Sequence, residues 1–263
     1  MSQVALVTGA SSGIGAEFAK QLSERGYEVI LVARRAGRLD ELASQLGGKA
    51  HVIPCDLASD AASLSGKVAG LGLEVDVLVN SAGFGTHGRF GEIDPTRDAE
   101  QVRLNCEALV ILTHAFLPGM IKRRRGGVIT IASTAGMQPI PYEATYSATK
   151  AFARAFSDAL SAELRGTRVR ALCVSPGPVP TEFQQIAGYG PDFPVPPVPG
   201  KISAEQVARE SLRAFDRGRR SIIPGFVIRW YMRMNRPAPL PIKLWVVERM
   251  YRPKKSGPDT QRG

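Results

Sequence analysis

Cysteine is scarce in this sequence, and the spacing of the cysteines present argues against two kinds of site. Cys55, Cys106 and Cys173 are the three cysteines among 263 residues, and no two of them form a C-x-x-C pair. Disulfide frameworks and zinc sites need closely patterned cysteines. The spacing therefore predicts neither a disulfide framework nor a metal site, and it favours a reducing compartment.

A basic leader and a long apolar run are also missing. The chain passes from Met1 directly into a short apolar run at Val4, without the positively charged segment that begins a secretion signal. No stretch of about 18 consecutive apolar residues occurs, so we expect no transmembrane helix. Together these observations predict a cytoplasmic protein.

Acidic residues are nearly absent from the C-terminal part of the chain. From residue 217 onward there are 12 lysines and arginines against two acids, whereas the first 216 residues hold 22 of each. The formal net charge of +10 therefore belongs to the tail alone. A nucleic-acid-binding face would make the body of the protein basic as well, so we expect no nucleic-acid partner.

What the sequence does contain is an alternation of short β-type runs with longer helical patterns. Alternation of this kind requires parallel pairing, and strands that are apolar throughout indicate a sheet covered on both faces. We predict an α/β protein with a Rossmann-like, doubly wound parallel sheet in three layers. The predicted strands are Val4–Thr8, Val29–Ala33, Ala50–Cys55, Val75–Asn80, Val128–Ser133, Arg168–Ser175 and Ser221–Pro224, and the predicted helices are Gly15–Arg25, Leu39–Leu46, Asp98–Arg123, Thr145–Arg165 and Ser203–Arg217. Residues 1–224 are predicted to form one domain, and residues 225–263 a basic, amphipathic helical extension.

A glycine-rich turn follows the first strand and opens the first helix, where residues 8–15 read T-G-A-S-S-G-I-G. Gly9 permits a tight turn, Gly13 a close approach to a pyrophosphate, and Gly15 close packing of helix on strand. The helix N-terminus would present free N–H groups to phosphates. The turn predicts a dinucleotide site at Gly9, Ser11, Ser12, Gly13, Ile14 and Gly15; the alternative is a tight turn without a ligand.

The end of the second strand indicates which dinucleotide is bound. A carboxylate there would bond the adenosine ribose and repel a 2′-phosphate, but this chain has Arg34 and Arg35. Two guanidiniums can hold a phosphate through several donors, so NADP(H) is favoured over NAD. The alternative is that both arginines are solvated loop charges and NAD is tolerated. Asp56, with Leu57 beside it, is expected at the adenine end, although Asp56 is equally suited to cap a helix.

A tyrosine and a lysine four residues apart begin the helical pattern near residue 145. Tyr146 and Lys150 share one helix face, where a nearby ammonium would lower the pKa of the phenol and suit it to proton exchange. Ser133, at the carboxyl edge of the sheet, can bond a substrate oxygen. Asn105 is a polar residue in an apolar helix, which indicates either an ordered water or a locally satisfied amide.

These motifs occur in an order that resembles the short-chain dehydrogenases/reductases over roughly the first 185 residues. The matching features are the glycine turn, Asn105, Ser133, the Tyr146–Lys150 pair, and N-S-A-G at residues 80–83, where the family usually has N-N-A-G. The resemblance implies that Tyr146 exchanges the proton with the substrate oxygen, Lys150 holds the nicotinamide ribose and lowers the pKa of Tyr146, Ser133 orients the substrate, and Asn105 holds a relay water. It further implies cofactor contacts at Asn80, Ala82, Gly83, Pro176, Gly177, Val179 and Thr181.

Two segments are expected to shape the substrate site. Residues 182–200 would form an apolar lid, with Phe183, Ile186, Tyr189, Phe193 and Val195, which suits an apolar or amphiphilic carbonyl compound. The tail holds two amphipathic stretches, with Arg229, Arg233 and Arg236 on one face and Phe226, Val227, Trp230, Tyr231 and Met234 on another. We favour a hairpin packed at the active-site mouth or on another subunit, with its arginines in water, over an interfacial element attracted to anionic lipid.

The sequence thus predicts an NADP-dependent oxidoreductase that acts on a carbonyl or secondary alcohol. A homodimer or homotetramer is expected from the resemblance. One alternative is a catalytically silent NADP-binding sensor or scaffold of the same fold, which would not need the Tyr146–Lys150 pair that is present here. A sugar-nucleotide epimerase is a third possibility, but the wider glycine spacing and longer substrate domain usual in such enzymes are missing.

Overall fold

A seven-stranded parallel sheet forms the centre of the structure, a computed structural model that describes residues 2–189, 200–235 and 237–253. The strands lie in the order β3-β2-β1-β4-β5-β6-β7 and every pairing is parallel. The chain reverses its winding direction between β1 and β4, as in a doubly wound sheet. The strands are β1 Val4–Thr8, β2 Glu28–Ala33, β3 Ala50–Pro54, β4 Val75–Asn80, β5 Gly127–Ile131, β6 Arg170–Val174 and β7 Ser221–Ile222.

Helices cover both faces of this sheet, so the protein has three layers. The helices are α1 Gly13–Glu24, α2 Ala36–Gln45, α3 Leu57–Asp60, α4 Leu64–Ala69, α5 Pro95–Val102, α6 Ala108–Arg123, α7 Ala144–Glu163, α8 Phe183–Ile186, α9 Ala204–Asp216, α10 Phe226–Met234 and α11 Leu240–Tyr251. One apolar cluster joins the sheet to α1, α2 and α9. A second joins the opposite face to α4 and α6. The predicted three-layer, doubly wound fold is confirmed.

Several element boundaries differ from the sequence prediction, and three of the differences have a clear local cause. β5 ends at Ile131 rather than Ser133, because Ser133 instead caps a 3-10 turn at Thr134–Met137. β6 begins at Arg170 rather than Arg168, because Arg168 has the left-handed φ of 68° and closes the preceding turn. The helix predicted over Asp98–Arg123 is divided into α5 and α6 by a π turn at Arg103–Glu107.

The continuous helical stretch Pro95–Arg123 is long and apolar enough, by length and composition alone, to cross a membrane, which the search for apolar runs did not find. Its packing is that of a layer helix. α6 contacts β4 and β5, and Leu112 and Met120 are fully buried against the sheet. These contacts account for its apolar composition, because a helix that covers a sheet buries one side in the core.

Phe18 provides a test of this packing. Its ring is completely buried between α1 and the sheet, so Phe18→Ala should lower the free energy of unfolding by about 3–5 kcal/mol through lost burial and a residual cavity. Urea denaturation measures the loss. Phe90→Ala is the matched control, because that ring is 71% exposed and its removal should cost within about 0.5 kcal/mol. Equal losses in the two variants would contradict the assigned core.

Candidate active site

A cavity of about 780 Å³ opens at the carboxyl edge of the sheet, next to the point where the winding direction reverses. Open α/β sheets place their ligands at this edge. Ser133, Tyr146 and Lys150 share its wall with the glycine turn, about 125 residues earlier in the chain. Of the residues predicted for the site, the cavity is lined by Gly9, Ser11, Ser12, Gly13, Ile14, Gly15, Arg34, Arg35, Asp56, Leu57, Ala82, Gly83, Ser133, Tyr146, Lys150, Pro176, Gly177, Val179 and Thr181.

The glycine turn leaves no room for side chains. Gly9 has a φ of 67°, and a Cβ there would lie 2.9 Å from the main chain of Ala82. A Cβ on Gly15 would lie 2.3 Å from the carbonyl oxygen of Gly9. Ser12 caps α1 without a side-chain bond to the helix, so its hydroxyl does not occupy the N–H groups of the first turn. This tight backbone at a helix N-terminus fits a pyrophosphate.

Arginines stand beside that turn and are held by carboxylates. Nη2 of Arg35 donates to the hydroxyls of Ser11 and Ser12, at 3.0 Å each, and Nη1 pairs with Glu182 at 2.8 Å. Arg38, which the sequence analysis missed, bonds the other oxygen of Glu182. These bonds lower the pKa of Glu182 to about 2. Arg34 pairs with Glu100 at 3.2 Å. Arg34 and Arg35 are therefore held on the cavity wall, where they can meet a phosphate.

Asp56 combines its two predicted placements. Its carboxylate accepts a hydrogen bond from the backbone N–H of Ala58 at 3.1 Å, so it caps the short helix α3. The same residue and Leu57 line the cavity near the end of β3. The cap fixes the carboxylate at the cavity edge, so capping does not remove it from the site.

Helix α7 carries Tyr146 and Lys150 into the cavity on one face. Both are buried, and the Lys150 Nζ lies 5.9 Å from the centroid of the Tyr146 ring. Lys150 donates to the carbonyl oxygen of Ile131 at 2.9 Å, which anchors the ammonium to the end of β5. Ser133 follows that strand, and its Oγ accepts from the backbone N–H of Ala135 at 3.0 Å.

Burial dominates the electrostatics of this pair. Burial raises the pKa of Tyr146. The hydrogen bond with the Ser133 side chain partly offsets this rise, and the nearby Glu143 carboxyl adds to it. Burial also lowers the pKa of Lys150 to about 8. In the protein without cofactor, burial therefore outweighs any lowering of the Tyr146 pKa by Lys150, and the acidification implied by the resemblance stays a prediction for the protein with cofactor bound. The reason is physical: the same loss of water disfavours both the phenolate and the ammonium.

Asn80 and Asn105 do not line the large cavity. They lie behind it, on a second cavity of about 20 Å³ that is also lined by Thr8, Thr130 and Lys150. Because strand side chains alternate, Asn80 shares the face of Leu78, which packs in the α6 layer, and its side chain does not reach the large cavity. A cofactor contact at Asn80 stays a prediction.

The amide of Asn105 connects the π turn to the loop after β4. Its Oδ1 accepts from the backbone N–H of Phe84 at 3.2 Å, and its Nδ2 donates to the Phe84 carbonyl at 2.9 Å. Nδ2 also lies 3.0 Å from the Thr149 hydroxyl. The side-chain amide of Asn105 therefore has local hydrogen-bond partners, which is one of the two predicted alternatives.

A buried carboxyl group stands next to the phenol and carries no signal in the sequence. Glu143 is 3% exposed, three residues before Tyr146, and lines the cavity. Burial raises its pKa to about 8. Nδ1 of His87 lies 3.9 Å from its Oε1. A glutamate just before a helix is usually a surface residue, so only the tertiary structure identifies this one.

Part of the expected lid forms the cavity wall. The Phe183 ring lies 5.1 Å from that of Tyr146, and Ile186 and Tyr189 also line the cavity. Gly85 makes room for this ring pair, because a Cβ there would lie 2.8 Å from the Phe183 ring. The predicted lid residues Phe193 and Val195 lie outside the described residues.

The C-terminal helices α10 and α11 pack at the mouth of the same cavity, the placement that the sequence analysis favoured. Ile228 meets Gly177, whose Cβ would lie 3.0 Å from it, and Val247 joins a cluster with Tyr146. The sequence analysis expected the apolar face of the first stretch to pack against the protein. This expectation is wrong, because four side chains of that face are exposed: Phe226, Val227, Trp230 and Met234. Arg229 faces inward instead, donating to the Ile223 carbonyl and pairing with Glu210. Arg236 lies outside the described residues.

Residues 3–188 match the model of a protein family described as short chain dehydrogenase. The chain belongs to the short-chain dehydrogenase family. The match confirms the resemblance noted in the sequence. It also confirms that the protein is an oxidoreductase.

Individual relatives agree with this assignment. The dehydrogenase is 38% identical to the NADP-dependent 3-hydroxy acid dehydrogenase YdfG of Escherichia coli K12, over 72% of this chain and 78% of that protein. It is 37% identical to the very-long-chain 3-oxoacyl-CoA reductase of Phaeosphaeria nodorum, over 69% of this chain but only 56% of that relative. A short-chain dehydrogenase from Sphingobium yanoikuyae, solved in complex with NADPH, superposes with a TM-score of 0.78 and 29% identity, over 89% of this chain and 92% of that one.

Glu143 should make stability depend on pH. The folded protein keeps this carboxyl protonated up to a pH of about 8, whereas the unfolded chain releases the proton above the ordinary pKa of 4.5. Between these values the folded state binds the extra proton, so stability falls as pH rises, with a slope of about 1.4 kcal/mol per pH unit from this group. Glu143→Gln should remove that slope in urea titrations between these pH values. Glu163→Gln, at an exposed position on the same helix, is the control, and identical slopes in the two variants would contradict the burial of Glu143.

Proposed function

We propose that the dehydrogenase transfers a hydride between NADP(H) and a ketone or secondary alcohol of apolar or amphiphilic character. The observation that carries the proposal is the shared cavity, in which Tyr146, Ser133 and Lys150 line the same space as the glycine turn. The NADP dependence of one relative and the NADPH bound to a solved one support the choice of cofactor.

In this proposal the residues that would hold the cofactor line the cavity between Arg34 and Arg35 at one end and Pro176 and Gly177 at the other. The glycine turn and the first turn of α1 receive the pyrophosphate. Arg34 and Arg35 pair with the 2′-phosphate, and Glu182 releases Arg35 to do so. Ala82, Gly83, Val179 and Thr181 line the remaining length. The bound nicotinamide supplies or accepts the hydride.

The proton is exchanged by the protein. During reduction the Tyr146 hydroxyl donates its proton to the substrate oxygen, and Ser133 holds that oxygen through a second hydrogen bond. Burial favours the protonated phenol, which is the form that donation requires. Lys150, anchored at the end of β5, stabilises the phenolate left behind and binds the nicotinamide ribose.

The proton of Tyr146 is replaced, in this proposal, through a relay water next to Lys150. The cavity of about 20 Å³ behind Lys150 is large enough for one water molecule. Among the described residues, Asn80 Nδ2 and Thr130 Oγ1 are buried there without a hydrogen-bond partner, so they offer the polar contacts that such a water needs. Asn105 shapes this cavity from the π turn, a helix irregularity that often marks functional sites.

The walls support an apolar or amphiphilic substrate. Beyond the reacting groups the cavity is bounded by Ile140, Phe183, Ile228, Val247 and Tyr251. A 3-hydroxy acid and a very-long-chain 3-oxoacyl thioester are named for two of the relatives, and both classes place a ketone or secondary alcohol on an alkyl chain.

We also propose a cytoplasmic homodimer or homotetramer, for which the exposed Ile121 on α6 and Phe152 on α7 offer apolar contacts.

Tyr146→Phe tests the catalytic assignment. Because the variant keeps the ring but loses the exchangeable proton, it should lower kcat by at least about 100-fold while NADPH still binds. Absorbance of NADPH during reduction of a panel of alkyl ketones measures turnover, and fluorescence titration measures binding. Tyr27→Phe, which removes a hydroxyl packed near α1, should leave both unchanged. Full turnover in Tyr146→Phe would refute Tyr146 as the proton donor, whereas no turnover by the unaltered enzyme on any ketone would favour the silent sensor.

Replacing Arg34 and Arg35 together by alanine tests cofactor choice. Loss of charge-assisted bonds to the 2′-phosphate should raise the Kd for NADPH roughly 10- to 100-fold and change that for NADH little. Titration with each dinucleotide measures the two constants. Arg25→Ala is the control, since that arginine pairs with Asp216 away from the cavity. Equal weakening for both dinucleotides would show that the arginines do not read the phosphate.

A further inference from the structure

The hairpin α10–α11 exposes a large share of the protein's apolar surface. Fourteen large apolar side chains are exposed among the described residues, and eight of them lie within this one segment. Both tryptophans of the chain are included, each 57% exposed. We name this set the outer face; it consists of Phe226, Val227, Trp230, Met234, Leu240, Ile242, Trp245 and Val246.

The outer face is not a by-product of loose packing, because the opposite side of the same helices is well packed. Ile228 is 1% exposed and Val247 is 6% exposed. Tyr142, just before α7, donates a hydrogen bond to Glu248 of α11 at 3.0 Å. Both helices are therefore held to the protein through Ile228, Val247 and Glu248, while the eight apolar side chains of the outer face stay exposed to solvent.

Basic groups accompany this apolar surface. Arg233 and Arg249 are exposed on the two helices, and the Arg249 guanidinium stacks over the Trp245 ring at 3.8 Å. The whole net charge of the protein, +10, arises from residue 217 onward. Exposed tryptophans with arginines beside them are the composition of elements that lie in the headgroup region of a bilayer.

We propose that the outer face docks on a membrane surface that contains anionic lipid. Apolar side chains of α10 and α11 enter the boundary between headgroups and acyl chains, and the basic residues pair with lipid phosphates. Each basic residue near such a surface adds an electrostatic attraction to the binding free energy that the apolar side chains supply.

The positive charge of this segment favours an anionic membrane, rather than a second copy of the chain, as the partner of the outer face. A symmetric dimer through the outer face would bring the exposed Arg233 and Arg249 of two chains towards each other. Like charges facing each other across an interface oppose association, whereas an anionic bilayer neutralises them. The observations therefore favour lipid over self-association.

Docking in this way would place the substrate cavity at the bilayer, because the inner sides of α10 and α11 form part of its wall. This consequence rests on the proposed function. An amphiphilic ketone dissolved in lipid could then enter without crossing bulk water. Membrane binding itself does not depend on catalysis and is measured without turnover, so failure of one proposal leaves the other standing.

The test uses the full chain and vesicles of phosphatidylcholine with or without phosphatidylglycerol. Because the only tryptophans are Trp230 and Trp245, their emission reports directly on the outer face. We expect a blue shift and co-sedimentation with the anionic vesicles, weak binding to the neutral ones, and release at high salt. A protein that stays in the supernatant with anionic vesicles, without a spectral shift, overturns the proposal.

Two double variants separate the contributions of apolar and basic groups. Phe226→Ser with Met234→Ser keeps both tryptophans and should abolish the blue shift. Arg233→Glu with Arg249→Glu should weaken binding to anionic vesicles roughly 30-fold or more. Phe90→Ala and Arg165→Glu, exposed positions outside the hairpin, are the matched controls and should bind normally. Circular dichroism verifies folding. If the serine variant binds vesicles normally, or instead converts a dimer into a monomer in sedimentation equilibrium, the lipid assignment is overturned.

Discussion

Exclusion of water from around Tyr146 and Lys150 is the constraint on which the active site depends. The wall of the cavity and the start of α7 remove hydration from both side chains, which holds the phenol protonated and reduces the cost of deprotonating the amine. The site is therefore poised to give a proton rather than to hold a charge. A positive charge brought by an oxidised cofactor would act strongly in such a place, since little water is present to screen it.

Close backbone approach makes that dry cavity possible. The glycine turn touches the segment after β4, Gly85 admits the Phe183 ring beside the phenol, and Gly177 admits Ile228 from the C-terminal hairpin. At each of these positions a methyl group would collide with its neighbour. Glycine thus permits close packing at the cofactor end, at the reacting centre and at the outer wall, although these three regions come from distant parts of the chain.

The sequence was sufficient for those parts of the site in which a local pattern carries the chemistry. The glycine turn, the pair on α7, and the parallel, doubly wound sheet followed from spacing and periodicity, and nearly all the expected residues line one cavity. The location of Asn80 behind the large cavity could not be read from the sequence, because it depends on which face of β4 the side chain occupies. The burial of Glu143 and the packing of Ile228 on α10 could not be read, because both depend on contacts with residues about 50 to 55 positions away in sequence, His87 and Gly177.

Part of the cavity wall comes from beyond the segment that matches the family model. The part shared with the family ends at residue 188, whereas Ile228, Val247 and Tyr251 close the cavity from beyond it. Divergence in the final forty or so residues can therefore remodel what enters without disturbing hydride or proton transfer. Evolution of new substrate ranges in such enzymes can proceed by exchange of a terminal module, while the ancestral chemistry is inherited intact.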